Sequence, residues 1–200
     1  MEKKIWLTGA VFLFSLLVVT ACNPQPDATP NESEAEEPGV EASKAAGEDA
    51  KEVEAIMINQ DNDVIGSAVL TQKPDGVLIQ LEATDLPPGK HGFHIHEKGV
   101  CEPPTFETAG GHFNPTNAKH GFDDPEGPHA GDLLNIEVDE DGTVSTETLA
   151  NMVTLKSGQK NSLLDGEGTA LMIHSKPDDY VSQPSGDAGE RIACAVIGKD

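Results

Sequence analysis

Basic residues are scarce in this chain of 200 residues, which has 13 Lys and Arg against 35 Asp and Glu and a formal net charge of −22. The excess persists after residue 50, where 26 acidic side chains stand against 10 basic ones. Because proteins bind nucleic acids by neutralising phosphates, this balance excludes nucleic acid as a partner. It also repels small anions at long range, so a site for an anionic substrate needs a local positive group.

Helical periodicity is hard to find after residue 50, and no internal repeat is present. Short stretches of alternating apolar residues occur instead, separated by turn signals such as 59–63 and 73–76. The predicted strands are 53–57, 64–70, 77–81, 91–96, 133–138, 144–149, 170–174 and 192–197. This pattern predicts an all-β sandwich or barrel.

Two stretches, 97–131 and 175–190, are too long and too rich in Gly and Pro to be hairpin loops. Loops of that length in a compact domain are usually functional. All seven histidines lie in these loops or on the strands that border them. The loops are therefore the predicted location of the functional site.

Only three cysteines are present, and the first, Cys22, follows an apolar run at 5–19 that begins after two lysines. The run ends in small residues, which predicts a secretory signal at 1–21 with a lipobox, similar to that of bacterial lipoproteins. Cys22 would then be acylated and would anchor the chain to a membrane from outside the cytoplasm. An uncleaved transmembrane helix is the alternative.

Residues 22–50 consist of the lipidated Cys22 and a stretch with almost no branched apolar residue and no aromatic residue. This composition predicts a disordered acidic tether. Its reach as a flexible coil is about 30 Å. The folded domain is then 51–200. Cys101 and Cys194 remain as a pair in a compartment that permits disulfides, with two separate buried thiols as the alternative.

Two histidines, His94 and His96, are two positions apart on the predicted strand 91–96, so their rings point to the same face. A His-x-His pair alone is a weak signal for a metal site. His91 is expected to be structural or solvated. His174 ends a later predicted strand, where an isolated histidine is usually a satisfied edge residue.

The first long loop and the residues just after it contain His112, His120, His129 and Asp132, at spacings of 8, 9 and 3. Three nitrogen ligands and one carboxylate complete a tetrahedral zinc set of the closed, structural kind. The alternative is a polar loop with scattered histidines.

A second possible set joins His94, His96 and His174 with His112, because four imidazole ligands suit Cu(II). His112 then belongs to both sets. An imidazole can serve two metals only if both ring nitrogens are deprotonated.

In these motifs, residues 51–200 resemble the Cu/Zn superoxide dismutases. The matching segments are GFHIH, GGHFNP, KHG, HAGD, the later IH and GDAGERIACAVIG. The resemblance implies a Greek-key β-sandwich or flattened barrel of about eight antiparallel strands with two long functional loops. It also implies conversion of superoxide into dioxygen and hydrogen peroxide, with one copper and one zinc per chain.

The resemblance assigns roles to individual residues. Copper would be bound by His94, His96, His112 and His174, and zinc by His112, His120, His129 and Asp132. His112 would also carry a proton, and Arg191 would supply the positive charge for the anion, with Lys176 as a weaker contributor. Asp178 would link His94 to His120, and Cys101 and Cys194 would form the intrachain disulfide.

Some features depart from the eukaryotic members, including the ten residues between Cys101 and His112, and they resemble bacterial members instead. The eukaryotic dimer surface is not carried over, which leaves the oligomeric state open between a monomer and a homodimer. Family members that have lost copper ligands suggest an alternative function, a non-catalytic copper- or zinc-binding or metal-delivery module. Every ligand position is filled here, which favours the enzyme.

Overall fold

The computed structural model describes residues 52–198. The predicted signal segment, the lipidated Cys22 and the acidic tether lie outside the described residues. Within residues 52–198 we find nine strands and a single 3-10 turn, and no helix with the length and apolarity needed to span a membrane. The strands are β1 (Glu52–Asn59), β2 (Val64–Lys73), β3 (Gly76–Ala83), β4 (Gly89–His91), β5 (Phe93–His96), β6 (Ile136–Val138), β7 (Val144–Ala150), β8 (Thr169–His174) and β9 (Arg191–Ile197).

Seven of these strands form one curled antiparallel sheet in the order β5-β8-β9-β1-β2-β3-β7, and β4 and β6 form a second, two-stranded sheet. Strands β1, β2 and β3 are consecutive neighbours, and β9 returns to lie beside β1, which is the Greek-key order. The predicted all-β fold class is therefore confirmed.

The number of strands exceeds the predicted eight because the predicted strand 91–96 is interrupted at Gly92. On one side of Gly92, β4 pairs with β6, and on the other side β5 pairs with β8. The predicted strand 133–138 also begins later, at Ile136. The backbone N–H of Asn135 donates a hydrogen bond to the Tyr180 hydroxyl at 2.8 Å instead of joining a strand.

The main core lies against the inner face of the curled sheet. In β1 the alternation is as predicted, with Ala55 and Met57 buried and Glu54 and Ile56 exposed. All six residues of β8 are buried because the long loop after β5 covers the other face of this strand. That loop contributes Phe106 to a smaller apolar cluster. Strands β5 and β8 are therefore rigid supports for side chains between the sheet and this loop.

The predicted disulfide between Cys101 and Cys194 is confirmed. It connects the start of the long loop to the middle of β9, across a sequence separation of 93 residues. Because Cys194 is fully buried in the smaller apolar cluster, the bond fixes the loop to the sheet beside Phe106.

Replacing both Cys101 and Cys194 with Ala should lower the free energy of unfolding of the metal-free protein by roughly 4 to 5 kcal/mol, since the unfolded chain loses a long closed loop. Equilibrium urea denaturation of the oxidised protein and the variant measures the difference. Reductant should bring the parent protein to the stability of the variant and leave the variant unchanged. Equal midpoints without reductant would show that the bond contributes no stability.

Candidate metal centre

The structure brings the histidines predicted as ligands together with Asp132, in two adjacent groups of buried side chains. One group contains His94 and His96 from β5, His174 from the end of β8, and His112 from the loop. The second group consists of His112, His120, His129 and Asp132. In each group the donor atoms lie within 4.8 Å of one another.

Backbone pairing along the free edge of β5 aligns the loop with this strand. The N–H of Ile95 donates to Gly131 O and the N–H of Phe113 donates to Ile95 O, both at 2.8 Å. Phe93 and Ile95 pack into the main core, so the alternate residues His94 and His96 face the loop. The pairing sets His96 opposite His112 and His94 opposite Asp132.

In the second group three imidazoles surround one carboxylate oxygen. The Nδ1 atoms of His112, His120 and His129 lie 2.8, 3.1 and 3.3 Å from Asp132 Oδ1. The Nδ1 atoms of His120 and His129 are buried and make no hydrogen bond, so at these distances they do not point at the oxygen. A tetrahedral zinc site with ligand bonds of about 2.0 Å has donor–donor edges of about 3.3 Å. This group therefore fits zinc.

The other oxygen of Asp132 has a different role. Oδ2 accepts hydrogen bonds from the backbone N–H groups of Gly121 and His129, both at 2.9 Å. These bonds orient the carboxylate so that Oδ1 faces the three rings.

In the four-histidine group, each ring is oriented by the nitrogen that faces away from the centre. His94 Nε2 donates to Asp178 Oδ2 at 2.7 Å and His96 Nδ1 to Gly110 O at 2.9 Å, while His174 Nδ1 lies 3.4 Å from Gly189 O. The inward Nε2 atoms of His96 and His174 are 3.4 Å apart. Four converging imidazoles fit Cu(II).

The ring of His112 lies between the two groups. Its Nδ1 faces Asp132 Oδ1, and its Nε2 is buried without a hydrogen-bond partner, as is the Nδ1 of His94 nearby. The His94 and His112 ring centroids are 4.0 Å apart. An imidazole in this position has one nitrogen available to each group.

Asp178 connects the two groups from the loop after β8. Its Oδ2 accepts from His94 Nε2, and its Oδ1 accepts from His120 Nε2 at 3.1 Å, which is the link that the family resemblance implies. Gly186 packs against this carboxylate with φ of +70°, where a Cβ would overlap Asp178 Oδ1. The glycine therefore allows the loop to close over Asp178.

Burial decides the protonation of three rings in the four-histidine group, those of His96, His112 and His174. It lowers the pKa of His112 to about 4, although the hydrogen bond with Asp132 opposes this shift. It also lowers the pKa of His174 to about 2 and holds that of His96 well below its ordinary value. These rings are therefore neutral at neutral pH, the form in which imidazole binds a metal.

Charge dominates in the second group. Burial alone would raise the pKa of Asp132, but the hydrogen bond with His112 and the close contacts with the rings of His120 and His129 hold it far below its ordinary value. For His120, burial lowers the pKa, while the carboxylates of Asp132 and Asp178 beside the ring outweigh burial and raise the pKa to about 9. The buried carboxylates therefore favour a cation in this group.

A cavity of about 490 Å³ opens beside the four-histidine group, and its lining includes His96, His112, His174 and Arg191. Arg191 is the one Lys or Arg in the lining of this cavity, as the structure describes it. Its guanidinium donates to Phe106 O at 2.6 Å and to Gly110 O at 2.7 Å. Lys176 is exposed and does not line the cavity.

His91 belongs to neither group. It is buried, with Nδ1 2.7 Å from His174 O and Nε2 2.7 Å from Pro87 O, and these contacts support the backbone beside the centre. It is therefore structural, one of the two roles expected for it.

Two amide side chains at the centre were missed by the sequence analysis. Asn135 pairs with the backbone of Asp178 through two hydrogen bonds of 2.8 and 2.9 Å, and Gln183 pairs with the backbone of His120. In the sequence Asn135 lies close to Asp132 and Gln183 lies close to Asp178, but this closeness does not identify the groups to which the two amides bind.

Known proteins are similar to this chain in both sequence and fold. A family model described as copper/zinc superoxide dismutase matches residues 64–197. The chain is 57% identical to Cu-Zn superoxide dismutase 2 of Aquifex aeolicus over 144 residues, which are 72% of this chain and 84% of that protein. A crystal structure of a SOD-like protein from Bacillus subtilis is similar at 43% identity with a TM-score of 0.70, covering 72% of this chain and 97% of that one. The Cu/Zn superoxide dismutase from Brucella abortus is 31% identical with a TM-score of 0.61, covering 73% and 99%.

Proposed function

Because the chain belongs to the copper/zinc superoxide dismutase family, we propose that its centre converts two superoxide anions and two protons into dioxygen and hydrogen peroxide. The chain is an oxidoreductase of this family, and the cofactors of the family are copper and zinc. The observation that carries the proposal is the ring of His112, whose two nitrogens face the two groups separately.

The residues present fit both metals. Copper would be held by His94, His96, His112 and His174, and zinc by His112, His120, His129 and Asp132. The chemistry that bound copper supplies is one-electron exchange, by which one superoxide is oxidised and the next is reduced. The buried charge of Asp132 is the reason for a second cation beside it.

His112 is the residue to which we assign proton transfer. Its Nδ1 is held on the side of Asp132, so the atom that takes up and releases the proton is Nε2. His112 also lines the cavity, which gives this atom access to a small substrate. Hydrogen peroxide needs two protons, and His112 would deliver one of them to the second superoxide.

Arg191 would attract and orient the anion. Two of its five N–H donors are used by Phe106 O and Gly110 O, which fixes the guanidinium and leaves donors for the substrate. It supplies the local positive charge that a chain with a net charge of −22 needs.

We place the enzyme outside the cytoplasm, anchored to a membrane by acylated Cys22. The apolar run that ends at Cys22 supports the anchor, and the disulfide between Cys101 and Cys194 suits an oxidising compartment. The acidic stretch after Cys22 would separate the domain from the lipid surface.

His112→Asn is the decisive variant for the function. The parent protein should bind one copper and one zinc per chain and dismute superoxide, while the variant should lose at least about 100-fold in rate because proton transfer and the shared ligand are both removed. Elemental analysis and stopped-flow decay of superoxide measure the two properties. A parent protein with both metals and no dismutation would identify a non-catalytic metal module instead, and a fully active variant would exclude the role of His112.

Arg191→Ala should slow dismutation at least about tenfold at low ionic strength while both metals stay bound, because the positive charge of the cavity is lost. The ratio of the parent rate to the variant rate should fall as salt is added, because salt screens the attraction by Arg191, whereas the long-range repulsion is common to both proteins. Lys176→Ala removes an exposed positive charge outside the cavity and is the matched control. Equal losses in both variants would mean that net charge, and not Arg191, governs the rate.

Cys22→Ser should abolish acylation and release the protein from the membrane fraction, since the lipid is the proposed anchor. Labelling of cells with radioactive palmitate, followed by fractionation, measures both effects. A variant that stays in the membrane fraction would point to the uncleaved apolar run as the anchor.

A further inference from the structure

The backbone of His120 is held by the side chain of Gln183, which is 63 residues away in the loop after β8. Gln183 Oε1 accepts from the N–H of His120 at 2.9 Å, and Gln183 Nε2 donates to the carbonyl of His120 at 2.9 Å. One amide side chain thus satisfies both polar groups of this buried residue. Within residues 52–198, the backbone N–H and carbonyl of His120 have no other hydrogen-bond partner.

The ring of His120 depends on the position of its backbone. Nδ1 lies 3.1 Å from Asp132 Oδ1 and Nε2 lies 3.1 Å from Asp178 Oδ1, so the ring stands between two carboxylates. A shift of the backbone would move Nδ1 away from the point on which the donors of the second group converge. Gln183 therefore fixes the one ring that contacts both carboxylates.

Gln183 differs from Asp178 in what it contacts. Asp178 accepts from His94 as well as from His120, so it acts on both groups. Among the hydrogen bonds of the described residues, those of Gln183 join it to His120, Val181 and Asp124, and none joins it to the four-histidine group. A change at Gln183 should therefore affect the two groups unequally.

We propose that Gln183 is a positioning residue for the zinc site, which keeps the backbone of His120 in place so that its Nδ1 faces the metal. This role rests on the proposed function, which assigns zinc to His112, His120, His129 and Asp132. Because Gln183 is an exposed residue outside the core, its replacement leaves the core packing intact.

The test measures zinc release from the protein loaded with copper and zinc, after mixing with an excess of a chromogenic chelator. Gln183→Ala and the isosteric Gln183→Met remove both hydrogen bonds and should release zinc about tenfold faster or more, as expected for loss of a group that orients a metal ligand. Gln183→Glu keeps an acceptor for the N–H of His120 and should be intermediate. Copper should stay bound in all of them.

Gln80→Ala is the matched control, because Gln80 is an exposed glutamine of β3 whose amide donates to Glu147 Oε1, away from the centre. It should release zinc like the parent protein. Co²⁺ bound in place of zinc gives a second readout, since its visible spectrum should change in Gln183→Ala and not in Gln80→Ala.

Each unexpected result has a distinct meaning. A parent protein that binds no zinc would defeat the proposed function, and the role of Gln183 with it. A parent protein that holds zinc, with unchanged release from Gln183→Ala, would overturn the role of Gln183 alone. Equal loss of copper and zinc in Gln183→Ala would also overturn it, because the effect would then be general loosening of the loops.

Discussion

The contact between the buried carboxylate of Asp132 and three imidazoles is the constraint on which the rest of the centre depends. One oxygen faces His112, His120 and His129, and the other is held by two backbone N–H groups. A buried charge is costly unless it is compensated. Protonated imidazoles would compensate the carboxylate, but a protonated ring nitrogen has no lone pair left with which to bind a metal. A bound cation solves both problems, because it neutralises the carboxylate and accepts the lone pairs. A cation in this group would therefore also hold together the loop residues that surround it.

The consequences reach the neighbouring group through two residues. His112 belongs to both groups, and Asp178 accepts a hydrogen bond from one ring of each. Strand β5 supplies His94 and His96 from a rigid element, while the loop supplies the residues that must adjust to a metal. The loop is paired with the edge of β5 at Ile95. A shift of this pairing by one residue would move the histidines of β5 away from the ligands that the loop supplies.

The acidity of the chain sets a separate requirement, since an anion must approach a protein with a net charge of −22. Arg191 meets it because the carbonyls of Phe106 and Gly110 hold its guanidinium at the cavity. The carbonyl of Gly110 also accepts from His96 Nδ1, so the same peptide orients a predicted copper ligand and the cation beside it. The nearby disulfide and the burial of Phe106 keep this stretch of loop in place.

The sequence by itself determined the strand pattern, the ligand chemistry and the family resemblance, because side-chain alternation and donor types are local properties that can be read from residues such as Met57, His94 and His96. Tertiary structure decided the break at Gly92, the structural role of His91 and the partners of Asn135 and Gln183. These depend on which backbone N–H and carbonyl groups remain unpaired after the chain folds. Every residue carries nearly the same backbone groups, so no sequence pattern distinguishes the carbonyl of Gly110 or His120 from the others until segments far apart in the chain meet.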